Sequence, residues 1–166
     1  MSNIPYLNFE YMNSIIKKEI IESFEIFFDK KYYVMDSELS SFEVNYSKFN
    51  SVKYTLGVSN GLDAIFLCLK SLNIGEGDEV IVPSNGYIAT VLAVIRTGAT
   101  PVFVEPKIDT YNIDPNKIKT SITDRTKAII PIHLYGLCCE MDEICKISSE
   151  KGIYVIEDNA QGHGST

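Results

Sequence analysis

Along the N-terminal part of the chain, Met12, Ile15, Ile16, Ile20, Phe24 and Phe27 recur at helical spacing, with Ser23 on the same stripe. That periodicity predicts an amphipathic helix over about 11–28. A weaker pattern predicts a second helix over Ser37–Phe49, with Lys30–Asp36 as the connection and no linker between them. From Tyr54 onward short apolar runs alternate with helical stretches. The runs Tyr54–Val58, Glu79–Val82, Pro101–Val104, Lys127–Ile132 and Ile153–Ile156 read as strands. Gly61–Leu72, Gly86–Thr97, Asp114–Thr120 and Met141–Lys151 read as helices, the first with Leu62, Ile65, Phe66, Leu69 and Leu72 on one face. Two glycines between Asn73 and Asp78 mark a turn. The alternation predicts a three-layer α/β/α architecture. Its continuously apolar strands suit a largely parallel sheet covered on both faces.

Such a sheet makes the strand ends informative. Each predicted strand runs into polar or turn residues: Ser59-Asn60-Gly61, Pro83-Ser84-Asn85, Glu105-Pro106, His133 and Glu157-Asp158. In an open α/β sheet these gather at the carboxyl edge, where ligands bind.

Composition narrows the classes. The 166 residues suit one domain, and 45% hydrophobic with 22% charged residues is ordinary for a globular protein and argues against disorder. With 15 basic and 22 acidic residues the net charge is −7 and no basic block stands out, which argues against nucleic-acid binding. Met1–Glu10 lacks the basic flank and apolar core of a signal peptide, and no apolar run is long enough to span a membrane. Cys68, Cys138, Cys139 and Cys145 lack C-x-x-C spacing and have two histidines for company. They read as reduced thiols of a cytoplasmic protein, with no metal site.

Three segments carry candidate chemistry. Gly57-Val58-Ser59-Asn60-Gly61-Leu62-Asp63-Ala64 joins a strand to a helix, and its small residues would let first-turn N–H groups approach an anion. The plain alternative is an N-cap by Ser59 or Asn60. Neither a Walker lysine nor a G-x-G-x-x-G pattern is present. Val82–Thr90 forms a second strand-to-helix turn in which Tyr87 begins the helix, either stacking on a flat ring or packing over the sheet. The run Ile153–Gly164 delivers Glu157 and Asp158 to the end of a buried strand, on opposite faces, with Gln161 three residues beyond. An Asp in that place can partner a pyridinium nitrogen, as pyridoxal phosphate requires, or can cap a helix while Gln161 is solvated. That cofactor also needs a Schiff-base lysine, and no lysine here is suitably placed, so the chain reads as the first part of an enzyme. His133 reads as a packed strand-end residue and His163 as a turn residue.

Taken together, the loops resemble the DegT/DnrJ/EryC1/StrS family of pyridoxal-phosphate-dependent nucleotide-sugar aminotransferases. The resemblance runs from Pro5-Tyr6-Leu7-Asn8 through Gly164 and is strong in Gly57–Ala64, Asp78–Thr90, Thr110–Pro115, Arg125–Gly136 and Val155–Gly164. It implies the type I aminotransferase fold, with residues 1–166 forming an N-terminal segment and an incomplete large domain. The lysine segment and a C-terminal small domain are then absent, and no catalytic residue lies in this chain. The resemblance further implies that Asp158 pairs with the pyridinium nitrogen and Gln161 bonds the phenolic oxygen. Tyr87 would stack on the ring, while Ser59, Asn60 and Gly61 cradle the phosphate. Glutamate would be the amino donor and a homodimer the working form.

Asn60–Ala64, Val104-Glu105-Pro106 and Thr110–Pro115 look most like the branch that aminates C3 of dTDP-3-keto-6-deoxyhexoses in polysaccharide biosynthesis. Gly86 stands where a threonine is common, Leu137-Cys138-Cys139-Glu140 replaces a more polar loop, and Asn159 and Gly162 replace alanines. Two rival readings remain: a non-catalytic remnant that partners a complete homologue, and an unrelated α/β protein that binds an anion at the same edge.

Overall fold

The computed structural model describes residue 5 and residues 7–166, so Tyr6 in the Pro5–Asn8 segment and residues 1–4 lie outside the described residues. The chain divides into two compact units, Met1–Gly57 and Val58–Thr166.

The first unit holds α1 (Glu10–Asp29) and α2 (Ser37–Phe49), both at or within a residue of the predicted bounds. The stripe that predicts α1 is present but uncovered, because neither helix buries a residue. The predicted strand Tyr54–Val58 does not form: the segment joins no ladder among the described residues. Two of its polar groups bond to α2 instead. The Gly57 N–H donates to the Glu43 carboxylate at 2.8 Å, and Ser47 Oγ donates to Thr55 Oγ1 at 2.7 Å. Tyr54 and Leu56 are left exposed. β propensity makes a strand only when a neighbour accepts its backbone bonds.

The second unit is the predicted three-layer sandwich. Its elements are α3 (Gly61–Ser71), β1 (Glu79–Pro83), α4 (Ile88–Thr97), β2 (Thr100–Val104), α5 (Pro115–Ser121), β3 (Thr126–Ile129), α6 (Met141–Lys151) and β4 (Tyr154–Val155). The four strands lie in the order β2-β1-β3-β4, every pair parallel. Strand alternation sorts the core. Val80, Val82, Ala128 and Ile130 pack with Ile65 and Leu69 of α3 and Ala93 and Val94 of α4. Ile81, Ile129 and Val104 pack on the other face with Ile118 of α5 and Ile144 and Ile147 of α6.

Two boundaries differ from the sequence reading by more than one residue. β3 leaves the ladder after Ile129 although the run continues apolar to Ile132. Ile130 still donates to Ile81 O at 2.8 Å, but Pro131 has no N–H to offer, and the chain turns its bonding toward β4. There Asp158 N donates to Pro131 O at 2.9 Å and His133 N to Asp158 O at 3.3 Å. The helix predicted from Gly86 starts at Ile88, and Tyr87 is its extended N-cap with φ −68° and ψ 142°. No described helix is long and apolar enough to cross a membrane.

Because the strands are parallel, the ends of β1, β3 and β4 and the start of α3 meet at one edge of the second unit.

Candidate functional site

A cavity of about 330 Å³ opens at that edge. Of the six residues proposed from sequence, Asn60, Gly61, Tyr87, Asp158 and Gln161 line it, over an apolar floor that includes Ile65 and Ile132. Ser59 is the exception and does not reach the wall.

Ser59 and Asn60 are committed to the start of α3. Asn60 Oδ1 accepts from the Asp63 N–H at 2.9 Å, so the capping alternative describes its side chain. Ser59 Oγ donates to Asp63 Oδ2 at 2.6 Å, and Arg96 clamps Asp63 Oδ1 at 2.8 Å. The Ser59 hydroxyl first, then the Arg96 guanidinium, hold the Asp63 carboxyl below its ordinary range. The cap uses one first-turn donor. The N–H groups of Gly61 and Leu62 keep no partner among the described residues, and a Cβ at Gly61 would meet open space. Backbone donors are therefore what this turn offers an anion.

Tyr87 is 74% exposed, so it does not pack over the sheet. Its ring stands at the rim as a free aromatic face.

Asp158 and Glu157 leave the β4 extension on opposite sides, as alternation requires. Asp158 faces the cavity. Its Oδ2 accepts from Thr90 Oγ1 at 2.7 Å and its Oδ1 from the Ala160 N–H at 3.3 Å, in a turn with no helix to cap. Glu157 Oε2 lies 2.9 Å from Nε2 of His133, which is buried at 2% exposure. His133 Nδ1 accepts from the Cys139 N–H at 3.1 Å, so the ring proton belongs on Nε2, facing Glu157. His133 thus ties the β3 end to two loops and reads as packing, in line with its sequence. Beside it Cys139 is sealed under Ile132 O, with its thiol pushed up to about 11 by burial.

Gln161 Oε1 accepts from the Tyr135 N–H at 2.7 Å. Its amide is oriented rather than merely solvated.

Two glycines beside the cavity have no room for a side chain. A Cβ at Gly86 would lie 2.4 Å from Ile132 Cδ1 on the cavity floor. A Cβ at Gly162 would lie 2.5 Å from Asn159 Oδ1 and 2.6 Å from His133 Cβ. Asn159 and Gly162 therefore belong together: the larger residue occupies the space the smaller one vacates.

Sequence reasoning missed Thr90 and Tyr135. Thr90 is buried at 1% exposure, and a polar residue among Ile88, Ala89 and Val91 was the available signal. Tyr135 acts through its backbone and left no signal in side-chain type.

The wall suits a flat, anionic, nitrogen-heterocyclic cofactor: one carboxylate, one donor amide, an aromatic rim and backbone donors at a helix start. No lysine is among the residues that line it.

Comparison with known proteins fits this wall. Residues 14–166 match the DegT/DnrJ/EryC1/StrS aminotransferase family. A dTDP-3-amino-3,6-dideoxy-alpha-D-galactopyranose transaminase of Aneurinibacillus thermoaerophilus is 48% identical over 98% of this chain and 45% of its own length. A dTDP-3-amino-3,4,6-trideoxy-alpha-D-glucose transaminase of Streptomyces venezuelae is 40% identical over 98% of this chain and 43% of its own. The crystal structure of S. venezuelae DesV in complex with a ketimine intermediate superposes with a TM-score of 0.94 at 39% identity, covering 99% of this chain and 44% of that one. Bacillus subtilis NtdA with bound PMP also gives 0.94, at 34% identity, over 100% of this chain and 38% of that one. The chain spans less than half the length of these relatives. With the α/β aminotransferase fold and loops in family order, it belongs to the DegT/DnrJ/EryC1/StrS aminotransferase family of pyridoxal-phosphate-dependent enzymes.

Proposed function

We propose that this chain forms the cofactor-binding part of an aminotransferase that moves an amino group from glutamate to a dTDP-keto-6-deoxy sugar. The observation that carries the reading is the Asp158 carboxylate, aimed into the cavity by Thr90 and Ala160. Pyridoxal phosphate, when bound, supplies the electron sink that lets an amino group pass between an amino acid and a keto sugar. Asp158 would sit against its ring nitrogen and favour the protonated ring. Gln161 would donate to the phenolic oxygen, Tyr87 would cover the ring, and the Gly61 and Leu62 N–H groups beside Asn60 and Ser59 would hold the phosphate. Amination at C3 is the finer reading, supported by the names of two relatives. The anchoring lysine is assigned to sequence outside these residues, the working form to a homodimer, and the location to the cytoplasm.

The test has two arms. Titration of the purified chain with pyridoxal phosphate, followed by absorbance, should show saturable binding that Asp158→Ala weakens. A chimera of residues 1–166 with the remaining part of the Aneurinibacillus relative should aminate a dTDP-3-keto-6-deoxyhexose with glutamate as donor. A chimera that folds and binds cofactor but transfers no amino group to any keto-sugar nucleotide would leave the non-catalytic partner as the better reading.

A further inference from the structure

Tyr135 has a conformation that its side chain does not explain. It sits at φ 56° and ψ 21°, a left-handed conformation that aromatic residues rarely adopt. Its ring is 81% exposed, so no packing of the ring holds it there. The surrounding turn does. Leu134 N donates to Ile132 O at 3.0 Å, and Leu137 N to Leu134 O at 3.1 Å. Asn112, itself 4% exposed, clamps the turn from both sides. Its Oδ1 accepts from the Leu134 N–H at 3.2 Å and its Nδ2 donates to Leu137 O at 2.9 Å. The arrangement brings the Tyr135 N–H to 2.7 Å from Oε1 of Gln161, a cavity-lining residue.

A backbone N–H can only donate, so it selects the oxygen of the Gln161 amide. The NH2 group is then the end left to meet a ligand, and Gln161 lines the cavity. We infer that Tyr135 is a positioning residue: its left-handed backbone N–H fixes the orientation of the Gln161 amide and so turns the NH2 toward the ligand oxygen for which Gln161 is already proposed as donor. This rests on the reading of the cavity as a pyridoxal phosphate site, where that oxygen is the phenolate.

Two measurements on the 166-residue chain separate the inference from that reading. Amide hydrogen exchange of the Tyr135 N–H, followed by NMR, needs no cofactor. The N–H should be protected in the wild type and in Gln161→Glu, whose carboxylate still accepts. Protection should fall about tenfold or more in Gln161→Ala. Tyr135→Gly suits the left-handed turn and should keep protection. Tyr135→Val, β-branched, should lose it. The second measurement is titration with pyridoxal phosphate. Gln161→Glu should bind at least about tenfold more weakly than wild type despite its protected Tyr135 N–H, because it has no donor to offer. Tyr135→Gly should bind like wild type. A purely structural role for Gln161 would instead leave Gln161→Glu binding normally.

Protection that survives Gln161→Ala overturns the pairing, and normal binding by Gln161→Glu overturns the donor assignment. Should the wild type bind no pyridoxal phosphate, the reading of the site falls, and the exchange data still decide whether Tyr135 orients Gln161.

Discussion

The Thr90 hydroxyl and the Asp158 carboxylate meet at 2.7 Å across 68 positions of sequence. Thr90 is the third residue of α4, and Asp158 lies beyond β4, so this bond ties a helix start to the far end of the sheet's last strand. Thr90→Val keeps the shape and removes the donor. A hydrogen bond to a charged group contributes about 1.5–3 kcal/mol. Urea unfolding should show Thr90→Val losing stability on that order while Thr90→Ser retains most of it. Equal stability of valine and wild type would show that the bond contributes nothing.

The carboxylate pair at the strand end provides an internal control. Asp158 has two donors on its two oxygens, whereas Asn offers one oxygen and would set an NH2 against one of them. In the chimera, Asp158→Asn should slow single-turnover amino transfer by orders of magnitude while cofactor affinity falls less. Glu157→Gln should be mild, since its amide oxygen can still accept from His133 Nε2. The opposite ranking would shift the site assignment by one residue and break the mapping onto the family.

Cys139 supplies a pH dependence. Burial raises its thiol from 9.0 to about 11, so the folded chain holds the proton over a range where the unfolded chain releases it. The stabilisation is complete below about pH 9 and is lost progressively between about 9 and 11. Two units correspond to roughly 2–3 kcal/mol. Urea midpoints should fall more steeply over that window in wild type than in Cys139→Ala. In the folded chain at neutral pH, a thiol reagent should modify the exposed Cys68 and Cys145 and spare Cys139.

The Asn159 and Gly162 pair should behave non-additively. Gly162→Ala forces a Cβ against Asn159 Oδ1 and His133 Cβ, an overpacking that costs about 1–3 kcal/mol. Asn159 Oδ1 is buried with no hydrogen-bond partner among the described residues, so Asn159→Ala should be neutral or stabilising. The double variant should recover part of the Gly162→Ala loss, with the His133 contact limiting the recovery. Thermal unfolding of the four proteins gives the coupling directly, and strict additivity would show that the two positions do not share space.

What sequence alone determined were the features governed by neighbours along the chain. The 3.6-residue spacing of α2 and α6 placed both helices at their observed ends, and the apolar runs of β1, β2 and β4 announced strands to within about two residues. The alternation that separates Glu157 from Asp158 is likewise local, because adjacent side chains on an extended chain must diverge. Tertiary structure decided everything that depends on a partner remote in sequence. Tyr54–Val58 has strand composition but joins no ladder among the described residues, and takes side-chain bonds from α2 instead. Thr90 and Tyr135 became part of the site because folding put an unmatched donor within reach of Asp158 and Gln161. A residue's type states which hydrogen bonds it can make; only the packed chain states which of them are made, since burial removes water as the alternative partner.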